Sequence, residues 1–174
     1  MIRVTNRKEM YHPIIDLGDR VKVAFDYEIF YDEDEAGNKV PSNVGTWTEA
    51  IIKPKPSLEQ IKSFILNAIN RRTDDKILSG FIWNDNQVWL SSENQFNYKA
   101  AFDLAMQTNG ANLPTVFKFG SSEEPIYHKF DTLEELTDFY MKAMTYINEQ
   151  LAIGWAKKDS IDWSVYENTL NNLK

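Results

Sequence analysis

The spacing of hydrophobic and polar positions changes several times along the chain, and each change marks an element. Between residues 20 and 31 apolar positions recur at every second residue. Val21, Val23, Phe25, Tyr27, Ile29 and Tyr31 fall on one side of a predicted strand, Lys22, Asp26 and Glu28 on the other, and Phe30 is the exception. The run Asp32-Glu33-Asp34-Glu35-Ala36-Gly37-Asn38-Lys39 combines acidic and turn-forming residues, which predicts an exposed loop between antiparallel strands. Val44, Trp47, Ile51 and Ile52 resume a strand-like pattern over 44–53. In Lys53-Pro54-Lys55-Pro56 each proline removes a donor and holds the preceding residue extended. This reads as a stiff connector, dividing an N-terminal β-hairpin segment (1–56) from an α+β domain (57–174).

From Ser57 the spacing becomes helical. Ser57-Leu58-Glu59-Gln60 has the capping-box form, and Leu58, Ile61, Phe64, Ile65, Ala68 and Ile69 follow on one face, predicting a helix to about Leu78 that Gly80 ends. Phe81-Ile82-Trp83 and Val88-Trp89-Leu90 flank the turn residues 84–87, a hairpin signal. Ser91 or Ser92, the latter with Gln95 three residues on, starts a second helix carrying Phe96, Ala100, Phe102, Ala105 and Met106, and Asn109-Gly110 stops it. Residues 114–120 and 125–130 predict a second hairpin around 121–124. Thr132-Leu133-Glu134-Glu135 opens the longest helix, with Leu133, Leu136, Phe139, Tyr140, Ala143, Ile147 and Leu151 on its apolar face, bounded by Gly154 or Asp159. Ser160 is the expected cap of a terminal helix with Ile161, Trp163, Tyr166 and Leu170. The predicted order is ββ, then α-ββ-α-ββ-α-α. Hairpin-joined strands pair antiparallel, so the class is α+β. No glycine-rich strand-to-helix turn suggests a dinucleotide fold.

Composition adds exclusions. The 174 residues are 43% hydrophobic and 13% aromatic, which excludes a disordered or collagen-like chain. The net charge of −7 argues against a nucleic-acid partner, because nonspecific affinity for phosphates comes mostly from Lys and Arg. The absence of cysteine excludes disulfides, thiolate metal sites and a Cys nucleophile. No stretch has the length and apolarity of a membrane span, and Met1–Glu9 carries no apolar core of a signal peptide.

Chemistry-bearing motifs are few. His12 and His128 fall in different predicted elements, and no Gly-x-Ser-x-Gly elbow, Walker loop, His-Glu-x-x-His or EF-hand spacing occurs. The acidic residues concentrate in loops and first helical turns, where solvation and the helix dipole account for them. No catalytic residue, metal or cofactor is therefore expected. The densest polar-aromatic stretch is Trp89–Tyr98, where Trp with amide side chains suits a sugar or a peptide. A plainer account is stronger there: Trp83 and Trp89 face the core while Ser and Gln cap a helix. The candidate binding residues are Trp83, Trp89, Asn94, Gln95, Trp155 and Trp163, the last two near the chain end where a helix can dock on another subunit.

A set of residues between 60 and 162 carries a family resemblance. Ile69-Asn70-Arg71-Arg72, Asp75-x-Ile77, Gly80-Phe81-x-Trp83 and Val88 are followed by Thr132-Leu133-Glu134-Glu135-Leu136 and Gly154-Trp155-x-x-Lys158-Asp159-x-Ile161. This resembles a domain of unknown function (the 4376 family) common in phage and prophage tail-fibre and tail-accessory proteins. The resemblance implies a setting, not a catalytic site. The resulting expectation is a non-enzymatic structural or assembly protein of a phage or prophage. Its partners would be other phage structural proteins or copies of itself, in the host cytoplasm or on the virion. The alternatives are a carbohydrate-binding module using exposed Trp and a small carboxylate-based hydrolase.

Overall fold

The computed structural model describes residues 1–121 and 123–172. Ser122, in the expected 121–124 turn, lies outside the described residues. The class is α+β, as the pattern predicts. Two compact units make up the chain, Met1–Ala68 with Lys157–Lys174, and Ile69–Ala156. The Lys53–Pro56 connector lies within the first.

The first unit holds a four-stranded antiparallel sheet in the order β1-β4-β3-β2. Its strands are β1 (Ile2–Arg7), β2 (Ile14–Asp16), β3 (Val21–Glu33) and β4 (Lys39–Ile52), with a short 3-10 turn at Lys8–Met10. The expected hairpin is thus the centre of a larger sheet, and the two outer strands are additions to the sequence reading. Alternation holds from Val21 to Phe25, all of whose odd positions are buried. Beyond Phe25 it breaks. The register passes from Phe25↔Thr48 to Glu28↔Thr46, and again from Ile29↔Gly45 to Tyr31↔Pro41, so two irregularities interrupt the ladder. Asp26 takes φ 57° at the first of them. Tyr27 and Tyr31, expected on the buried side, are consequently exposed. The Tyr27 ring lies over Gly45, where a Cβ would come within 2.7 Å of it.

Helix α1 (Leu58–Ser79) begins with both halves of the capping box in place. The Ser57 amide donates to Gln60 Oε1 at 2.8 Å, and the Gln60 amide donates to Ser57 Oγ at 3.3 Å. Ile61 and Ile65 are fully buried, and the Phe64 ring meets Phe25 edge-on at 6.1 Å. The terminal helix α4 (Trp163–Asn172) is capped by Asp162, not Ser160: Asp162 Oδ1 accepts from the Ser164 amide, while the Ser160 hydroxyl donates to the Lys157 carbonyl. Tyr166 of α4 is buried and donates to the Ala24 carbonyl at 2.8 Å.

The second unit contains two hairpins, the C-terminal half of α1, one whole helix and most of another. β5 (Phe81–Trp83) and β6 (Asn86–Val88) pair around a turn of only Asn84 and Asp85, both left-handed. That is shorter than the four-residue turn expected, and it moves Trp89 and Leu90 out of the strand. Helix α2 (Ser92–Gln107) is capped by Ser91, whose hydroxyl accepts from the Asn94 amide. β7 (Thr115–Gly120) and β8 (Pro125–Phe130) form the second hairpin. In α3 (Leu133–Asp159), Gly154 sits inside the helix, so Asp159 is the end of the two candidates. The core gathers Phe81, Trp83, Phe119, Phe130, Leu136 and Phe139, with Tyr98 and Ala105 of α2 closing it. Aromatic rings dominate it; Phe119 and Phe139 lie 5.4 Å apart and Phe130 and Phe139 5.2 Å apart.

Candidate functional site

The outer part of the β3–β4 pair stands free of the other strands. β1 pairs with β4 only from Val44 to Glu49, and β2 pairs with β3 only from Val21 to Val23. Among the described residues 31–33 and 39–41 therefore pair only with each other, and they form a two-stranded ribbon with Phe30 at its base, in the second irregularity. Phe30 is 45% exposed, Tyr31 60% and Val40 37%. The ribbon ends in a turn organised by Asp34, whose carboxylate accepts from the amides of Ala36 and Asn38 and from the Asn38 side chain. Those hydrogen bonds, the Asn38 amide first, hold the Asp34 carboxyl below its ordinary range. Asp32, Glu33 and Glu35 are exposed around it.

Below the ribbon a charged cluster forms on the bulge. Arg3 from β1 pairs with Asp26 and Glu28 at 2.9 Å each. Lys157 from the last turn of α3 pairs with the same two carboxylates at 2.8 Å and 2.6 Å. The Asp26 side chain is only 4% exposed, whereas that of Glu28 is half exposed. Burial opposes the charge on Lys157, but hydrogen bonds and charges from Asp26 and Glu28 outweigh it and raise its pKa. Below the bulge, Trp47 is fully buried between Tyr11 and Tyr27, and its indole donates to Glu49 Oε1 at 3.0 Å. Burial works against the Glu49 charge; the Trp47 bond and Lys22 prevail and lower its pKa. The left-handed residue and the four charges thus gather where the β3–β4 ladder is first interrupted.

The candidate residues of the second unit separate. Trp83 is 3% exposed, and its indole donates to Asp138 at 3.2 Å. As an interface residue it is therefore corrected to a core residue, because the short Asn84–Asp85 turn aims it inward at Phe119, Phe130 and Phe139. Trp89 is 37% exposed and donates to the Gly120 carbonyl at 2.8 Å, which pins the indole to the β7 end. The Asn94 side chain donates through Nδ2 to the Trp89 carbonyl at 2.8 Å and the Gln95 side chain through Nε2 to the Leu90 carbonyl at 2.7 Å. Gln95 thus ties down the chain entering α2; it does not complete a box with Ser92. Trp155 is 56% exposed on α3. In the first unit, Trp163 is half-buried, with its ring 5.7 Å from Tyr166.

His128 Nε2 lies 2.9 Å from Glu135 Oε1. The Glu135 amide donates to Thr132 Oγ1, while its carboxylate turns to the histidine. The His128 ring lies edge-on to Trp83 at 4.8 Å and to Phe130 at 4.6 Å. Among the described residues no hydroxyl is hydrogen-bonded to it. No group of three or more His, Asp or Glu able to hold a metal occurs among the described residues. Among them, too, no helix is long and apolar enough to cross a membrane.

Sequence reasoning missed Arg3 and Lys157 as partners of Asp26 and Glu28. The one available signal was Phe30, an apolar residue on the polar side of an otherwise regular alternation. It marks the irregular ladder.

Residues 60–171, more than half of the chain, match the family described as a domain of unknown function (DUF4376), and the chain belongs to that family. Comparison with curated proteins and with solved structures found no match.

Proposed function

We propose that this chain is a non-enzymatic structural or assembly protein of a phage or prophage, tail-associated, working through protein–protein contacts in the host cytoplasm or on the virion. The observation that carries the reading is the ribbon of residues 31–33 and 39–41, which extends beyond the outer strands with Phe30, Tyr31 and Val40 exposed. A two-stranded hairpin by itself is marginal in water, and one that presents aromatic rings gains most by packing against another surface. The acidic tip adds a charge that favours a basic partner and speeds encounter. The resemblance to tail-associated domains supplies the viral setting.

The test compares the full chain with a Phe30→Ser/Tyr31→Ser variant. Each is immobilised and exposed to a lysate of a host after prophage induction, and retained proteins are identified by mass spectrometry. The expected result is retention of a virion structural protein, reduced about tenfold or more by the double substitution, as for a pair of aromatic anchors. Equal retention by both proteins, or no virion protein retained by either, would sink the reading. Circular dichroism of the variant checks that the sheet still forms.

A further inference from the structure

The second unit carries a hollow that the ribbon does not use. It has a volume of about 340 Å³ and is lined by Trp89, Asn94, Lys118, Gly120 and Ser121. We propose that this hollow binds one acidic sugar unit of an anionic glycan. Pockets for small ligands begin at roughly this size.

Each lining group contributes a different recognition element. The indole of Trp89 is held by its bond to the Gly120 carbonyl, so its ring face is already in place before a ligand arrives. That face carries the negative side of the ring quadrupole, which attracts the electropositive C–H face of a pyranose. Asn94 uses its side-chain N–H on the Trp89 carbonyl, leaving Oδ1 to accept from a sugar hydroxyl. The Ser121 hydroxyl oxygen accepts from the Glu124 amide, leaving its O–H to donate. Lys118 is exposed, and its side chain has no ion-pair or hydrogen-bond partner among the described residues. It places a cation at the rim of the hollow in a chain of net charge −7. An ammonium beside an aromatic face and two hydrogen-bonding side chains suits a carboxylated sugar better than a neutral one.

An aromatic face beside a lysine also occurs where single-stranded nucleic acid binds. That chemistry needs a positive groove tracking several phosphates and successive stacking rings. The hollow offers one ring and one cation, which fits a single sugar unit.

The test is a titration of the isotopically labelled full chain, followed by amide and indole NMR shifts. The ligands are a panel of oligosaccharides of glucuronate, galacturonate and N-acetylneuraminate, their neutral counterparts, and a deoxythymidine decamer. The expected result is saturable shifts at the Trp89 indole and the amides of Lys118, Gly120 and Ser121 with at least one acidic sugar, at a Kd of about 1 mM or tighter. Lys118→Gln, a change at an exposed position, should weaken that binding about fivefold, the scale of a partly solvated ion pair. Trp89→Leu should abolish it. Three outcomes overturn the proposal: no shift with any acidic sugar up to about 20 mM, equal affinity for the neutral sugars, or tighter binding of the decamer.

Discussion

Lys157 Nζ lies 2.8 Å from Asp26 Oδ1, joining residues 131 positions apart at the first interruption of the β3–β4 ladder. Arg3 pairs with the other oxygen of the same carboxylate, Oδ2, at 2.9 Å. The cluster stabilises a left-handed Asp26 that an ordinary strand would not tolerate. Asp26→Asn keeps a side chain suited to that conformation and removes only the charge, so it isolates the electrostatic part. We expect it to cost about 2 kcal/mol, below the range for a fully buried pair because the cations are partly solvated. Lys157→Met should cost less, about 1 kcal/mol, since Arg3 still faces Asp26. Urea midpoints of the two variants decide; a larger loss for Lys157→Met would contradict the assigned roles.

Gly154 sits within α3 because Thr73 fills the space beside it. A Cβ there would lie 2.5 Å from Thr73 Oγ1 and 3.3 Å from its Cγ2. In an open helix interior, Gly→Ala would gain about 1 kcal/mol. Here Gly154→Ala should instead lose about 1–3 kcal/mol by overpacking. Thr73→Ala should restore most of that loss in the double variant, so the two changes will not add. Thermal unfolding of the four proteins in the cycle measures the coupling, and simple additivity would refute the contact.

The sequence patterns revealed the helices well because their signals are local. Ser57 and Gln60 are three residues apart and make the bonds their spacing predicts. Gly154 misled because a glycine in a helical pattern reads as a terminator, and only Thr73 in another helix shows otherwise. β2 has three residues, too few for a period, and β1 is an edge strand whose pairing with Val44–Glu49 is remote in sequence. The bulge at Asp26 turned a correct strand into a wrong assignment of faces beyond Phe25. For the site, Trp83 and Trp89 look alike in the sequence, and the length of the turn between them decides which is buried. Arg3 and Lys157 carry no local mark of their role, because the bulge that gathers them exists only in the folded sheet.

The turn between β5 and β6 offers a stabilising change. Asn84 and Asp85 both have positive φ, 47° and 61°, as a two-residue turn of this hand requires. Asn tolerates that conformation, and glycine adopts it freely at the second position. Asp85→Gly should therefore stabilise the protein by about 0.5–1 kcal/mol, with part of the relief offset by the greater freedom of the unfolded chain. The expected rise in Tm is about 2–4 °C. Asp85→Val, a β-branched residue at positive φ, should lower Tm. A calorimetric ranking of Gly above Asp above Val is the expected result, and the reverse order would exclude this turn geometry.

Alkaline pH should destabilise the fold through buried tyrosines. Burial pushes the Tyr98 hydroxyl up to about 12, and burial first, then the neighbouring Tyr11, raises Tyr166 as well. Below about pH 10, the ordinary value for tyrosine, both folded and unfolded chains hold these protons, and stability does not depend on them. Above it the unfolded chain releases them while the folded chain keeps them, so stability falls as pH rises toward the folded values. Lys157 has the same sign, because its raised value is lost in the unfolded chain. Tyr98→Phe keeps the buried ring, so it should change stability at pH 8 by no more than about 1 kcal/mol and make the decline above pH 10 shallower. Tyr166→Phe should also flatten the decline, but it loses the bond to the Ala24 carbonyl and should cost about 1 kcal/mol at pH 8. Urea midpoints between pH 8 and about pH 11 measure both effects, with tyrosinate absorbance reporting the ionisation. An unchanged slope in Tyr98→Phe would show that its hydroxyl titrates as freely in the folded chain as in the unfolded one.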